Sequence, residues 1–403
     1  MEGETLRTSI PRGPTMNGHA RALVGRPPAP AATERRMSGG RALALMALIL
    51  IGFFGIVWAI VATGQWRQSE QLLAAGLRSP GAAVIMPDGA VIVAEAGLPV
   101  NIASGTQANG PIQTTSGRLT WSRSTGARGN YLENLPSQYD PATGMVSGPR
   151  AVALLPDGQL LLLMGQCADP RCISLLTIDR EGHMTTTADL RLSADARTPS
   201  ADPIDVLLDP GGTVAYVTDR GRGLLLAVPL GTSSPQARVL TQFAQDQIPG
   251  GMTFAADGSL LVAVAPRDTG TIASSNRTAA NGAIVRIDSK GTIIPLLDGF
   301  GQVIDIAEQK DGTLLVLERG DAGTDTIGRT RRGGQLSLID PARPTERTVV
   351  TSNVQEPTAL FLAPDGRVFV SSLGPPSSRL TDPVGEVLQI RRLGPKPPPR
   401  RYI

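Results

Sequence analysis

Residues 80–97 read PGAAVIMPDGAVIVAEAG, and this stretch decides the fold. Two short apolar runs flank an Asp-Gly turn, which is the pattern of a β-hairpin. The same unit recurs six times along the chain, and in every copy the turn glycine stands nine positions after the first residue. The copies begin at Pro80, Pro149, Pro203, Pro249, Val303 and Pro357. A strand, a tight turn and a second strand therefore form a repeating unit.

A third strand follows each hairpin and is often opened by glycine, as in Gly117-RLTWS and Gly282-AIVRID. A fourth strand comes next, for example Thr292-IIPLL. Four strands per unit, repeated six times without a helical period, predict an all-β protein with the fold of a six-bladed β-propeller. The alternative is a series of hairpins arranged in two sandwiches, but six copies in one register favour the propeller.

The two ends of the repeat array are predicted to pair. The last unit ends after its third strand, whereas a spare apolar strand, EQLLAAGL at residues 70–77, precedes the first unit. We predict that this strand completes the last blade, so that the propeller spans residues 70–393 and has no open edge. The side chains of Leu72, Leu73 and Leu77 are expected to be buried at this seam.

These motifs resemble the ScyD/ScyE family of exported propellers, whose pattern is GL-x-x-P, then PDG-x-hhVAEAG, then GP before the next blade. This chain carries Gly76-LRSP, Pro87-DGAVIVAEAG and Gly148-P at the matching places, and residues 299–318 resemble a later unit of the same family. The resemblance covers about residues 70–392, and its PDG-type turns are shared with NHL, SMP-30-like lactonase and quinoprotein propellers. It implies an exported six-bladed propeller and leaves the ligand and any reaction open.

The 22 residues from Ala42 to Thr63 are apolar and uncharged, which is long enough for a transmembrane helix at about 1.5 Å per residue. Seven arginines within residues 1–41 place that disordered basic tail in the cytoplasm by the positive-inside rule. A cleaved signal peptide is the alternative, but its apolar region would be shorter, at about 7–15 residues. We therefore predict a single-pass signal anchor in the cell membrane, a linker at 64–69, an extracytoplasmic propeller (periplasmic or extracellular) and a Pro-rich tail at 394–403.

The charge distribution argues against a nucleic-acid partner. Residues 1–41 hold seven Arg and three Glu, so the rest of the chain carries 31 basic and 32 acidic side chains, a net charge of −1. A nucleic-acid-binding protein would carry a basic stripe on its folded body.

His19 and His183 are the only histidines, which excludes most histidine-based catalytic triads. Cys167 and Cys172 are the only cysteines, and we predict that they form a disulfide in an oxidising compartment.

Strand direction predicts which residues meet at the mouth of the central tunnel. The start of each first strand and the end of each second strand share one face of a propeller, as do the loops that follow the second strands. This places six charged residues there: Glu95, Arg150, Asp205, Asp219, Asp305 and Glu318. Four of them, Glu95, Asp205, Asp305 and Glu318, are the oxygen ligands that a hard cation such as Ca²⁺ or Mg²⁺ prefers. The alternative interpretation is that these carboxylates cap loop amides or pair with Arg150, Arg220 or Arg319.

Four long polar insertions fall on the same face, at residues 98–116, 267–281, 321–333 and 375–384. Long loops on a rigid scaffold usually carry a binding function. We therefore predict a membrane-anchored binding or scaffold module, with a protein or small-molecule ligand on this face and no required cofactor. The alternative is a cation-dependent oxidoreductase or hydrolase, quinoprotein-like or lactonase-like, with its site at the tunnel mouth. His183 lies in a turn predicted on the opposite face and is expected to be a surface residue.

Overall fold

The computed structural model of the chain describes residues 70–99, 110–192, 200–267, 282–324, 330–374 and 382–391. The chain divides into two units, 1–61 and 62–403, and every described residue belongs to the second. No helix within those described ranges is long and apolar enough to cross a membrane. The predicted membrane segment at 42–63, the tail and linker that flank it, and the tail at 394–403 lie outside the described residues.

The described strands form six antiparallel sheets, one for each repeat of the sequence, which confirms the six-bladed β-propeller. The first three blades contain the following strands: β2 (Pro80–Ile85), β3 (Val91–Glu95), β4 (Ile112–Ser122), β5 (Arg128–Asp140) and β6 (Met145–Ser147); then β7 (Pro149–Leu154), β8 (Leu160–Met164), β9 (Ser174–Ile178) and β10 (Met184–Asp189); then β11 (Pro203–Leu208), β12 (Val214–Asp219), β13 (Leu224–Pro229) and β14 (Arg238–Gln242). The first blade therefore has a fifth short strand, β6, beyond the predicted four.

The remaining blades contain these strands: β15 (Gln247–Phe254), β16 (Leu260–Pro266), β17 (Gly282–Ile287) and β18 (Ile293–Phe300); then β19 (Gln302–Glu308), β20 (Leu314–Thr324), β21 (Thr330–Ile339) and β22 (Arg347–Gln355); then β23 (Pro357–Leu362), β24 (Val368–Ser372), β25 (Gly385–Ile390) and β1 (Glu70–Leu77). Two predicted insertions differ from expectation. β4 begins at Ile112, inside the first insertion, and β20 and β21 extend into the third as a paired ribbon.

The first strand of each blade lies at the centre of the ring. These six inner strands contact one another in a closed order, β2 with β7, then β11, β15, β19 and β23, which returns to β2. The other strands of each blade follow outward in turn. The six inner strands therefore surround the axis of the ring, and all of them begin at the same end of that axis.

The second strands form the core of the ring. All five residues of β8 are buried, as are those of β3 and β24. A strand that is covered by another blade on both faces reads as a continuous apolar run rather than an alternating one. This explains why the sequence shows LLLLM and VIVAE at these places, and why an aliphatic core suffices for a chain with only 3% aromatic residues.

The glycine-containing turns of the repeat have the predicted geometry. The turn glycines have positive φ in all six copies, from 66° at Gly212 to 86° at Gly158 and Gly366. Residues with a side chain rarely adopt this conformation, whereas glycine adopts it at little cost. The nine-residue spacing therefore marks the turn at the end of each inner strand.

The strand before the first repeat closes the ring. β1 pairs with β25 along its whole length, from Glu70 opposite Ile390 to Leu77 opposite Gly385. Leu77 is only 3% exposed and Ala74 is also buried, both within one apolar cluster that includes Phe369 and Val387. The expectation that Leu72 is buried at the seam is wrong, because this side chain is 53% exposed. The pairing shifts register between Leu72 and Ala74, which alters the alternation of side chains along β1.

Candidate functional site

A cavity of about 490 Å³ lies at the axis of the ring, where the inner strands begin; we call it the axial cavity. All six inner strands contribute to its wall, and so do residues after second strands, such as Leu98 and Leu373. The cavity therefore opens on the face that the sequence analysis selected from strand direction. Much of its wall is apolar, with Ile204, Ile248 and Ile304 from neighbouring blades.

A bulge at the start of the inner strands directs two consecutive residues into this cavity. The pairing of β11 with β12 shifts register between Pro203 and Asp205, and that of β19 with β20 shifts between Val303 and Asp305. In a regular strand, neighbouring side chains point to opposite faces, but a bulge re-aims one of them. Asp205 and Asp305 thus line the cavity together with the isoleucine that precedes each of them.

Each of these aspartates also accepts a hydrogen bond from the inner strand of the next blade. Asp305 Oδ2 accepts a hydrogen bond from the Leu360 amide at 2.7 Å, and its Oδ1 accepts one from the Ile306 amide at 2.8 Å. Asp205 Oδ2 accepts a hydrogen bond from the Met252 amide at 3.0 Å. The two carboxyl groups therefore tie inner strands of adjacent blades together as well as facing the cavity.

Gly251 makes room for the carboxyl group of Asp305. A Cβ atom at position 251 would lie 1.7 Å from Asp305 Oδ1, so no larger residue fits there without moving the aspartate. The third position of the inner strand is thus Gly in the fourth blade because the same position is Asp in the fifth. An alignment of the repeats shows both residues, but only their contact in the structure explains why a glycine in one blade accompanies an aspartate in the next.

Burial raises the pKa of Asp205 to about 6, although the Met252 and Val206 amides act in the opposite direction. Burial also raises the pKa of Asp305 well above its usual range, and the neighbouring charge of Asp205 raises it further. Burial therefore raises the pKa of both carboxyl groups, and the nearby charge of Asp205 adds to the effect at Asp305.

A second polar group in the wall consists of Arg150 and Arg220, which share the carboxylate of Asp202. Arg220 donates from Nε at 2.8 Å and from Nη2 at 2.5 Å to Asp202 Oδ2. Arg150 Nη2 lies 3.5 Å from Asp202 Oδ1. Burial acts to raise the pKa of Asp202, but the charges of Arg150 and Arg220 outweigh it and hold this pKa below its usual range.

Two glycines, Gly81 and Gly165, allow the chain to pack closely against Arg150. A Cβ atom at Gly81 would lie 2.0 Å from the Arg150 carbonyl oxygen, and one at Gly165 would lie 3.0 Å from Arg150 Nε. Burial lowers the pKa of Arg150, and the Arg220 charge lowers it further, whereas Asp202 opposes both. Within the described ranges, Arg150 Nε has no hydrogen-bond partner.

The opposite side of the axial cavity is richer in acidic groups. Arg319 Nε lies 4.0 Å from Glu356 Oε2, and Arg319 also donates to the Pro357 carbonyl. Asp382 adds a further carboxylate to this wall. Glu356 has a φ of 48°, which is uncommon for a residue other than glycine. Backbone conformations of this kind are concentrated at functional sites.

Three of the predicted site residues are engaged away from the cavity wall. Glu95 is fully buried and accepts hydrogen bonds from Thr120 Oγ1 at 2.6 Å and from Arg118 Nη2 at 2.9 Å. It also accepts a hydrogen bond from the Arg78 amide at 2.5 Å. These contacts hold the segment that leads into the first blade.

Asp219 and Glu318 have the same role in the third and fifth blades. Asp219 accepts hydrogen bonds from the Asp202 amide at 3.0 Å and from Arg222 Nε at 2.6 Å. Glu318 accepts one from the Gly301 amide at 2.9 Å. The interpretation of capping and pairing therefore describes these three carboxylates, although the arginine partners of Glu95 and Asp219 are Arg118 and Arg222 rather than those considered in the sequence.

The four carboxylates predicted to share a cation are not brought together. Only Asp205 and Asp305 belong to the cavity wall, whereas Glu95 and Glu318 do not. Among the described residues, the one group of three or more potential metal ligands within 4.8 Å of one another is Asp179, Glu181 and His183. That group lies in the turn between β9 and β10, where the His183 side chain is 78% exposed, as expected for a surface residue.

Sequence reasoning missed Asp202 and Glu356. Each stands immediately before the proline that opens an inner strand, Pro203 in the third blade and Pro357 in the sixth. An alignment of the six repeats would have shown an acidic residue at this position in only these two copies.

The predicted disulfide is present between Cys167 and Cys172, in the loop between β8 and β9, with a Cα–Cα distance of 5.5 Å.

No protein-family model matches this chain, and no curated protein sequence matches it. Solved structures that it resembles include the PQQ domain of pyranose dehydrogenase from Coprinopsis cinerea, with 11% identity over 80% of this chain and 95% of that one and a TM-score of 0.49. Another is a candidate 6-phosphogluconolactonase from Bacteroides uniformis, with 14% identity over 75% of this chain and 80% of that one and a TM-score of 0.44. A third is virginiamycin B lyase from Staphylococcus aureus, with 12% identity over 80% of this chain and 98% of that one and a TM-score of 0.43. At such identities the likeness is one of fold.

Proposed function

We propose that the protein is a binding module that holds a small molecule in the axial cavity. The observation that carries this proposal is a cavity of about 490 Å³ whose wall includes Arg150, a guanidinium with only one carboxylate, Asp202, within 4 Å among the described residues. A charged group in largely buried surroundings needs a compensating partner, which a ligand in the cavity would supply. A volume in the range of about 300–1,000 Å³ is typical of small-molecule sites.

The composition of the wall supports the same proposal. Small-molecule sites combine an apolar lining with a few precisely positioned polar groups, and here isoleucines at 204, 248 and 304 accompany Arg150 and Asp205. These side chains stand on inner strands that the rest of each blade supports, so that ligand binding requires little reorganisation of the site.

We further propose that this module is an exported, membrane-anchored member of the ScyD/ScyE-type propellers. The anchor rests on the apolar run at residues 42–63 and on the arginines that precede it. The family rests on the motifs at residues 76–97 and 148–149. The disulfide between Cys167 and Cys172 is consistent with an oxidising compartment.

An enzyme is the second candidate, and the pair formed by Asp205 and Asp305 favours it. Two neighbouring carboxyl groups in one cavity, each with a pKa raised by burial, are a common arrangement for general acid–base chemistry. Such an enzyme would be a hydrolase or oxidoreductase, with Ca²⁺ or Mg²⁺ bound by these two aspartates and further oxygen atoms. Calorimetric titration with each metal, on the native protein and on the Asp205→Asn/Asp305→Asn variant, distinguishes the candidates. Stoichiometric binding that the variant loses would favour the enzyme.

The binding proposal is tested by narrowing the cavity. Ile248 lines the cavity in β15, whereas Ile294 is 44% exposed in β18 of the same blade. The protein and its Ile248→Trp and Ile294→Trp variants would be dialysed against a metabolite extract, and retained molecules would be identified by mass spectrometry. We expect the protein and the Ile294 variant to retain a small molecule that the Ile248 variant loses, at unchanged folding by circular dichroism. Equal retention by both variants would refute the proposal.

A further inference from the structure

We infer that the ligand of the axial cavity is an anion, a carboxylate or phosphate compound, and that Arg150 is the group that binds its charge. This inference rests on the proposed function, because it assigns the ligand class of the same cavity. It begins with an imbalance of charge: two guanidinium groups, Arg150 and Arg220, share the single carboxylate of Asp202. The two arginines belong to the cavity wall, and Asp202 does not.

The two arginines differ in how closely they contact that carboxylate. Arg220 makes two hydrogen bonds to Asp202, at 2.8 and 2.5 Å, whereas the nearest approach of Arg150 is an ion pair at 3.5 Å. Asp202 is the only carboxylate within 4 Å of the Arg150 guanidinium in the described part of the chain. A guanidinium has five N–H donors, so most of the donor capacity of Arg150 is unused.

Leaving these N–H donors of Arg150 without partners costs free energy, because the side chain is largely buried. Its side chain is largely buried against Gly165, and a charged group in such surroundings needs a compensating partner. A planar carboxylate or a phosphate accepts two parallel hydrogen bonds from a guanidinium, which is why arginine is favoured for binding such anions. An anionic ligand group would therefore supply the partner that the chain itself does not.

The electrostatics of the rest of the wall define where the anion binds. Across the cavity, Arg319 is accompanied by the carboxylates of Glu356 and Asp382, and Asp205 and Asp305 face the axis. An anion is repelled from those carboxylates, one of which, Asp205, belongs to the third blade. It is attracted to the second blade, whose only charged contribution to the described cavity wall is Arg150. The remainder of the ligand would then contact the isoleucines at 204, 248 and 304.

Two substitutions with opposite expected effects test this inference. Arg150→Gln removes the cation, and we expect it to weaken anion binding by roughly tenfold or more, as for the loss of charge-assisted hydrogen bonds. Asp202→Asn removes the competing internal anion, and we expect it to tighten binding severalfold. A residue with only a structural role would not produce effects of opposite sign. Arg286→Gln is the matched control, because Arg286 also pairs with one carboxylate, Asp257, far from the cavity wall.

The probes are inorganic phosphate and citrate, with glycerol as a neutral compound, titrated calorimetrically into the full-length protein at low ionic strength. We expect saturable binding of an anion, with a Kd of about 1 mM or tighter, none of glycerol, and a ranking in which Asp202→Asn binds more tightly than the native protein and Arg150→Gln more weakly. A preference for phosphate or for citrate distinguishes the two anion classes. Melting curves identify a variant that fails to fold, and Arg150→Lys then replaces Arg150→Gln, with weaker binding again expected.

The inference is overturned if neither anion binds saturably, if Arg150→Gln or Arg150→Lys binds as the native protein does, or if Asp202→Asn weakens binding. Its failure is distinct from that of the binding proposal. A molecule that is retained by the protein, lost from the Ile248→Trp variant and unaffected by Arg150→Gln would leave the axial cavity as the binding site and refute only the anion.

Discussion

Removing a single buried side chain from β1 tests whether this strand closes the ring. Leu77 is 3% exposed and packs in a cluster with Val93, Phe369 and Val387, which belong to the first and last blades. Replacement of a fully buried Leu by Ala costs about 2–5 kcal/mol, the sum of lost transfer free energy and the cavity that remains. For a body of this size, roughly 2 °C of melting temperature corresponds to 1 kcal/mol, so Leu77→Ala should melt about 4–10 °C lower.

Leu72 provides the control within the same strand. It is 53% exposed, and a surface substitution usually changes the free energy of unfolding by less than about 0.5 kcal/mol. Leu72→Ala should therefore melt within about 1 °C of the native protein. The assay is thermal unfolding of the full-length protein and both variants, followed by circular dichroism near the β-sheet minimum.

The contrast between the two leucines decides the outcome. If Leu77→Ala melts at the same temperature as Leu72→Ala, then β1 does not pack into the last blade, and the ring is closed in another way. If Leu72→Ala is the more destabilised variant, the register of β1 against β25 is wrong. Deletion of residues 70–77 extends the test, because it would leave β25 as an unpaired edge and is expected to cause aggregation.

Three further predictions concern titration, capping and topology. Because burial raises the pKa of Asp205 to about 6 from 3.8, the folded state binds this proton more tightly than the unfolded state does. The stability that this proton contributes is present at low pH and is lost as the pH rises from about 4 to 7. In urea unfolding, Asp205→Asn should therefore lose roughly 2 kcal/mol less than the native protein between pH 4 and pH 7, and an equal loss would contradict this assignment. Asp219→Ala leaves the largely buried Arg222 guanidinium without its carboxylate, and we expect this to cost about 3–5 kcal/mol. Asp257→Ala, which breaks an exposed ion pair, should cost less than about 1 kcal/mol. Equal melting temperatures would show that the Asp219 cap is dispensable. If the proposed anchor is correct, a cysteine at position 20 is shielded from a membrane-impermeant thiol reagent in intact cells and one at the exposed position 256 reacts, and the reverse labelling would invert the topology.

The fold could be predicted because its determinants are local and repeated. The turn glycines recur at one spacing, and the apolar runs beside them are long enough for one strand each, so the number of blades follows from counting copies. The closing strand at residues 70–77 could be predicted for a related reason, since the last repeat lacks the fourth strand that this segment resembles. The face that holds the cavity followed from strand direction alone.

The candidate site could be predicted only in part, because side-chain partners come from other blades or from irregular segments. Glu95 and Asp205 both stand near the start or end of a strand on the same face, yet Glu95 is held by Arg118 and the Arg78 amide, and Asp205 faces the axis. The difference depends on whether a residue belongs to the inner or the second strand, and on the bulge that turns the inner residue toward the cavity. Residue types alone do not reveal this geometry.

The shared carboxylate of Asp202 could not be predicted for the same reason. Arg150 is in the second blade, while Asp202 and Arg220 are in the third, separated from Arg150 by about 50 and 70 positions in the chain. Nothing in the local sequence of any one of them indicates the other two. Only the packing of adjacent inner strands, with glycines at 81 and 165 beside Arg150, brings the three groups together.

A crystal structure of the protein with the molecule that it retains from a metabolite extract is the most direct test of ligand binding in the axial cavity. We expect electron density for that molecule within the cavity, against Ile204 and Ile248 and with an anionic group in hydrogen-bond contact with the Arg150 guanidinium. Density on the outer strands, or beside the turn that holds His183 on the opposite face, with the axial cavity filled only by water, would contradict it.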